Sequence, residues 1–186
     1  MIPAVLAAAF SFYLGGAYPA IAPRDSADLA STAMTLGVAH PPGYPLYSLL
    51  GRGWLTLLPW GNPAYRLNVL SALAGAAAVA MLFALVRRHA GTAGALAAAA
   101  VWTLSAPLWK FSLLEEMYSL HALFAVSLLA LAEGERESVF RRARLSGLLL
   151  GLGLVNHQSL LLLVPALAWL WRGEAARAGV RPARLA

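Results

Sequence analysis

Three polar clusters interrupt an otherwise apolar chain, and each holds residue types that do acid–base or anion chemistry. The first joins "RDSAD" at 24–28 to "HPPGY" at 40–44, so Asp25 and Asp28 lie within a short stretch of His40 and Tyr44. The second is "KFSLLEEMY" at 110–118, with Lys110, Glu115 and Glu116. The third is "NHQ" at 156–158, with Asn156 and His157 inside a hydrophobic run. Carboxylates can take a proton from a hydroxyl, while Lys, Arg and His can hold a developing anion. Each residue also has a purely structural reading. Asp25 and Asp28 suit a helix start, where acids complement the dipole, and His40 could cap or pack. Glu115 and Glu116 stand at the beginning of a hydrophobic segment, again at a helix N-terminus. His121 follows Glu116 by five positions rather than in a zinc-helix spacing, and reads as a packing residue. His89, beside Arg87 and Arg88, reads as surface. No spacing among Asp25, His40 and Glu116 argues for a metal site, and the need for a divalent ion is left open.

The elements that must position these groups follow from composition. The chain of 186 residues is 60% hydrophobic and only 12% charged, against about 25% charge in ordinary soluble domains. Uncharged runs such as "LNVLSALAGAAAVAMLFALV" at 67–86 match the roughly 20 residues needed to cross a bilayer. Hydrophobic spans are expected at about 2–18, 65–86, 92–108 and 116–132, with half-spans at about 145–155 and 159–171. The first run also carries "AIA" at 20–22, the pattern of a cleaved signal peptide, but it lacks a basic start. Polar "VNHQS" at 155–159 argues for a turn between the half-spans, because mid-membrane polar groups must be buried or face water; one long tilted helix is the alternative. The fold class expected is all-α, a polytopic transmembrane helical bundle forming one domain over 1–186.

Charge sets the orientation. The net charge is +6, but the arginines flank hydrophobic runs, at 87–88, 136–144 and in a basic tail over 172–186. That distribution fits the positive-inside rule and excludes a nucleic-acid partner as its cause. The outward-facing stretch is then 19–62, where "YPLYSLLGRGWLTLLPW" has the Tyr and Trp content of an amphipathic interfacial helix. All three polar clusters fall on this non-cytoplasmic side, which is periplasmic if the arginine-rich composition reflects a bacterial inner membrane. His40 before Pro41 is held extended, and Pro41, Pro42 and Gly43 turn the chain back. The absence of Cys excludes disulfides and thiolate metal sites.

Several stretches resemble one family. "RDSADLASTAMTLGVAHPPGYPLYSLLGRGWLTLLPWGNPAYRLNVLSAL", "EEMYSLHALF" and "GLGLVNHQSLLLLVPA" resemble the N-terminal part of multi-spanning proteins related to the protein O-mannosyltransferases, in the GT-C glycosyltransferase superfamily. The resemblance covers nearly the whole chain. It implies a GT-C-like core with interfacial helices in the first outward loop, and an inverting transfer of a mannose-like hexose from a polyprenyl-phosphate donor to an acceptor hydroxyl on a protein or glycan. By position Asp25 matches the family's base. Asp28 stands where relatives often have Glu, and the three-residue spacing departs from the adjacent acidic pair of many GT-C relatives. Asp25, Asp28 and His40 are therefore the expected catalytic set. Arg52, Arg66, Tyr44, Lys110, Glu116, Asn156 and His157 are the expected binders of donor and acceptor, with membrane lipid as a partner, the lipid-phosphate sugar as donor substrate and the divalent metal left open. Such relatives are several times longer, so the chain is expected to represent the N-terminal part of an enzyme. The competing class is a non-catalytic subunit or transporter-like protein that binds a lipid or anion in an outward polar cavity.

Overall fold

The computed structural model describes residues 1–134 and 139–177. Arg136 in the expected cytoplasmic loop and residues 178–186 of the expected basic tail lie outside the described residues. In chain order the helices are α1 (Ile2–Gly16), α2 (Ser26–Thr35), α3 (Pro45–Leu57), α4 (Pro63–Thr103), α5 (Ala106–Ser112), α6 (Tyr118–Ala132), α7 (Val139–Asn156) and α8 (Val164–Arg177). A 3₁₀ segment, Gln158–Leu163, joins α7 to α8, and no strand is present among the described residues. The fold is all-α. Helices α1, α3, α4 and α5 each carry a proline in the first turn, where the missing N–H would have had no intrahelical partner. Asn62 caps α4 by accepting from the Ala64 N–H at 3.0 Å.

Two reversals shape the bundle. At Gly91 the backbone takes φ 66, ψ −173, a region essentially reserved for glycine. The Tyr13 hydroxyl donates to Thr103 O at 3.2 Å, while its ring lies 3.3 Å from where a Cβ on Gly75 would stand. In a straight helix Gly75 and Thr103 would be about 42 Å apart, so the 92–103 arm of α4 folds back along the 63–90 arm. The second reversal follows α7. His157 is extended, with φ −160, and the Arg142 guanidinium sits 5.3 Å over the Trp171 ring. Along one helix these residues would be about 43 Å apart, so residues 145–171 do not form a single helix.

Helix limits depart from the expected spans. The first helix stops at Gly16, and the run expected over 92–108 ends at Thr103. Ser105 turns extended and Pro107 enters the first turn of α5, so the link expected at 109–116 is helical up to Ser112 and irregular beyond it. Among the described residues, only α4 is long and apolar enough to cross a membrane by length and composition; Ile2–Gly16 and Tyr118–Ala132 are shorter apolar helices. Each has 15 residues and rises about 22 Å, less than the roughly 30 Å hydrocarbon core.

Small residues bring the helices close. Ala9 and Tyr13 of α1 pack on Ala72, Ala76, Val79 and Phe83 of α4. Val126 and Ala130 of α6 pack on Ala78 and Leu85 of α4. Phe124, Leu128 and Ala132 of α6 meet Leu160 and Leu167. Helices α2 and α3 lie on α4 through Ala30, Ala33, Leu55 and Leu67. Gly75 is the tightest point, since a Cβ there would collide with Ser112 Oγ and stand 3.0 Å from Ser112 Cβ. Gly75→Ala is expected to destabilise the bundle by about 1–3 kcal/mol, the usual cost of overpacking, measured as a lower midpoint in denaturant titration of the detergent-solubilised chain.

The two ends of the bundle differ chemically. At one end Arg88 donates to Ala130 O at 3.2 Å, and Arg142 donates to Leu131 O at 3.1 Å and Ala132 O at 3.3 Å. These cations satisfy the carbonyl end of α6, where the helix dipole favours positive charge. His89, expected as plain surface, meets Glu133 at 2.7 Å there. The opposite end gathers Asp25, Asp28 and Glu116 with His40, His121, His157, Tyr44 and Tyr118.

Candidate active site

The first acid is placed by a strained entry into α2. Arg24 has φ 82, an uncommon conformation for a residue with a Cβ. Asp25 follows at the N-cap position, yet its side chain makes no capping hydrogen bond. Its Oδ2 instead lies 3.8 Å from His40 Nε2, and the side chain is exposed. Asp28 sits in the first turn of α2. Its Oδ2 accepts from the His40 backbone N–H at 2.9 Å and lies 2.7 Å from His40 Nδ1. The backbone bond, followed by the ring bond, holds the Asp28 carboxyl below the usual carboxylate range. An ionised Asp28 requires the proton on His40 Nδ1, which leaves Nε2 facing Asp25.

The Pro-Pro-Gly turn fixes this imidazole from the other side. The Gly43 N–H donates to His40 O at 2.8 Å, and Gly43 and Tyr44 both have positive φ, 98 and 44. Tyr44 is thereby buried with its ring edge-on to His40, centroids 5.2 Å apart. On its other face it stacks against His157 at 5.8 Å and 15°. Tyr118 and His121 complete an aromatic wall, with centroids 5.4 and 5.3 Å from His157.

Beneath the wall, the link between α5 and α6 buries two acids. Glu115 is fully buried and Glu116 is 2% exposed; both oxygens of Glu115 and Oε2 of Glu116 have no hydrogen-bond partner among the described residues. Burial, and then the charge of Asp25, push the Glu116 carboxyl up to about 7, with Arg24 acting in the opposite direction. Burial also raises Glu115. Ser71 braces the link through Glu116 N and O, both at 3.4 Å.

The expected residues divide into three groups. Asp25, Asp28, His40, Tyr44, Glu116 and His157 come together. Asn156 is buried and donates to Met117 O at 3.2 Å, so it supports the α5–α6 link rather than lining the site. Lys110 stands at the rim, 5.7 Å over Phe111, whose ring is 4.4 Å from Tyr118. Arg52 and Arg66 are not in the cluster. Arg52 donates to Met34 O at 2.6 Å near the end of α2, and Arg66 donates to Leu55 O at 3.1 Å and to Leu58 O near the end of α3. Both arginines satisfy helix-terminal carbonyls, which accounts for their basic character without a ligand.

Tyr118, His121 and Ser159 belong to the cluster and were not among the expected site residues. The available signal was spacing: Tyr118 and His121 are i, i+3 on α6 and therefore share a face. Because Asp28 is the group that orients His40, Asp28→Asn is expected to lower any turnover by about one to two orders of magnitude through misplacement of the imidazole. The check is a kinetic comparison with Asp28→Glu, which retains the charge.

The geometry defines an all-helical protein with an acid–imidazole–tyrosine site at one end of its bundle. Within that class, the chain belongs to the family described as Protein O-mannosyl-transferase TMEM260 N-terminal domain, which matches residues 25–177. It is similar to "Protein O-mannosyl-transferase TMEM260" of Mus musculus, 38% identical over 167 residues, covering 87% of this chain and 23% of that protein. It is also similar to "Protein O-mannosyl-transferase tmem260" of Dictyostelium discoideum, 29% identical over 171 residues, covering 82% of this chain and 21% of that protein. The chain thus spans less than a quarter of the length of these relatives. No solved structure matches it. The bacterial inner membrane expected from composition receives no support from either relative.

Proposed function

We propose that this chain is the catalytic N-terminal part of a multi-pass membrane glycosyltransferase of GT-C type. It transfers a mannose-like hexose from a polyprenyl phosphate to an acceptor hydroxyl, with inversion, on the non-cytoplasmic face. The observation that carries the reading is the alignment of Asp28, His40 and Asp25. Asp28 fixes His40 through Nδ1 and the backbone N–H, and Nε2 is left facing an exposed, uncapped Asp25. The names of the relatives supply the transferred sugar, and their O-linked activity supplies the hydroxyl acceptor.

In this mechanism the acceptor oxygen forms its bond to C1 while its proton passes to the Asp25 carboxylate. The C1–O bond to phosphate breaks, and its electron pair leaves on the phosphate oxygen. That leaving group is a stable anion and requires no general acid. Asp25 then passes its proton to His40 Nε2, and the ionised Asp28 stabilises the resulting imidazolium, as an orienting carboxylate does for a histidine base. Lys110, whose ammonium lies over Phe111, and the imidazole of His157 are the groups assigned to the developing phosphate charge.

The test is transfer in proteoliposomes containing a labelled polyprenyl-phosphate hexose, a nucleotide-activated hexose as the competing donor, and a full-length relative as positive control. Transfer from the lipid donor alone, with inverted anomeric configuration by NMR, is expected. Retained configuration or use of the nucleotide sugar would sink the mechanism. Lipid-phosphate binding without transfer, with the control active, would instead assign the chain a binding role.

A further inference from the structure

The third polar cluster contains a hydrogen-bonded series behind His157, and the mechanism above gives no role to its other two members, Ser159 and His121. Ser159 Oγ lies 2.7 Å from His157 Nδ1 and 3.3 Å from His121 Nε2. In addition, the Ser159 backbone N–H donates to His157 Nδ1 at 3.2 Å. His121 Nδ1 is buried and has no hydrogen-bond partner among the described residues.

These contacts leave only one consistent placement of the protons. A backbone N–H can only donate, so His157 Nδ1 must present its lone pair. The Ser159 hydroxyl, at 2.7 Å, then donates to that same lone pair, and its oxygen accepts from His121 Nε2–H. Neutral His121 with the proton on Nε2 has a bare lone pair at the buried, unpartnered Nδ1. The reverse direction would point two N–H groups, those of Ser159 and of His157 Nδ1, at one another. It would also strand a buried His121 Nδ1–H, and orphaned buried N–H groups are rare. Both considerations select the same direction. The proton of neutral His157 is therefore on Nε2, which has no hydrogen-bond partner among the described residues. The ring carrying it is held between Tyr44 and Tyr118, one aromatic ring away from His40.

We infer that Ser159 and His121 are positioning residues that lock His157 as a neutral Nε2–H donor, and that this N–H recognises a phosphate oxyanion beside the Asp25–His40 pair. The inference deepens the glycosyltransferase reading, since the oxyanion it serves would be the donor's phosphate. A neutral imidazole donor suits an anion that must be released after transfer, because it directs the oxyanion without adding a full counter-charge.

Two measurements on the full chain in nanodiscs test this. The first requires no ligand: ¹⁵N-histidine spectra of the wild type should show His157 protonated on Nε2 with a hydrogen-bonded Nδ1 lone pair. A proton on Nδ1 overturns the inference whatever the chain's activity. The second is binding of a short polyprenyl phosphate, with inorganic phosphate as a separate arm to distinguish a lipid-borne from a free anion. Ser159→Ala should weaken binding about tenfold and Ser159→Thr should restore it, since Thr keeps the hydroxyl. His157→Gln, whose amide reaches the Nε2 position, should bind far better than His157→Asn, whose amide reaches the Nδ1 position. Equal binding by Gln and Asn, or an unchanged Ser159→Ala, overturns the oxyanion role. The proteoliposome transfer assay can fail without disturbing the tautomer result, which keeps the two readings separable.

Discussion

Asp25→Asn is expected to reduce hexose transfer by about two to four orders of magnitude, the range supplied by a positioned general base. Asparagine preserves the size and shape of the side chain but cannot accept the acceptor proton. The carboxylate is exposed and makes no capping bond, so the substitution removes no buried contact and the fold should be retained. Binding of polyprenyl phosphate should change by less than about threefold, because the anion is held by donors and not by an acid. The effect therefore belongs in turnover. His40→Ala should fall between Asp25→Asn and wild type, since it removes the group that relays the proton while leaving the group that first takes it. Equal transfer by wild type and Asp25→Asn would remove Asp25 from the mechanism.

Stability of the folded chain is expected to fall as pH rises from 5 to 8, and Glu116→Gln should remove most of that fall. Burial raises Glu116 from an ordinary value of 4.5 to about 7. A raised acid binds its proton more tightly in the folded state than in the unfolded one. Its stabilising contribution is full below pH 4.5 and is lost as pH passes through about 7. The shift corresponds to about 3 kcal/mol. Glu115 is raised as well, so a smaller slope of the same sign should survive in Glu116→Gln. Asp28 works in the opposite sense: its lowered value gives stability above the ordinary 3.8 that disappears as pH falls further. Maximum stability should therefore lie in mildly acidic solution, between the Asp28 and Glu116 ranges. Denaturant titration in detergent micelles, followed by circular dichroism at pH 5 and pH 8, reads the difference. A wild type equally stable at both values would show that Glu116 is ionised at no cost.

Much of this arrangement was legible in the sequence because turn chemistry and charge are local. Asp25, Asp28 and His40 were selected by residue type and by the rigid Pro-Pro-Gly turn, and the polar "VNHQS" marked a break in a hydrophobic run. The arginines were harder. Arg52 and Arg66 have the same composition signal as an anion site, but the carbonyls they satisfy belong to helix ends that sequence does not place in space. The end of α4 was misread for a related reason: residues 104–108 continue the hydrophobic run, and only the extended Ser105 before Pro107 separates α4 from α5. Tyr118 could be seen as a residue but not as a neighbour of His157, because that contact joins segments about forty positions apart and depends on the reversal after α7. Tyr118 and His121 shared a detectable helix face, and what was missing was the element facing it.

The site draws on segments 24–44, 115–118 and 156–159, which leave the ribosome at widely separated times. Asp25 and His40 are synthesised early, while the ring that stacks on Tyr44 arrives only with His157. During biogenesis the acid pair is therefore present long before the wall that closes around it. An incompletely inserted chain would hold Asp25 and His40 without the aromatic wall until the hairpin of α7 and α8 had docked.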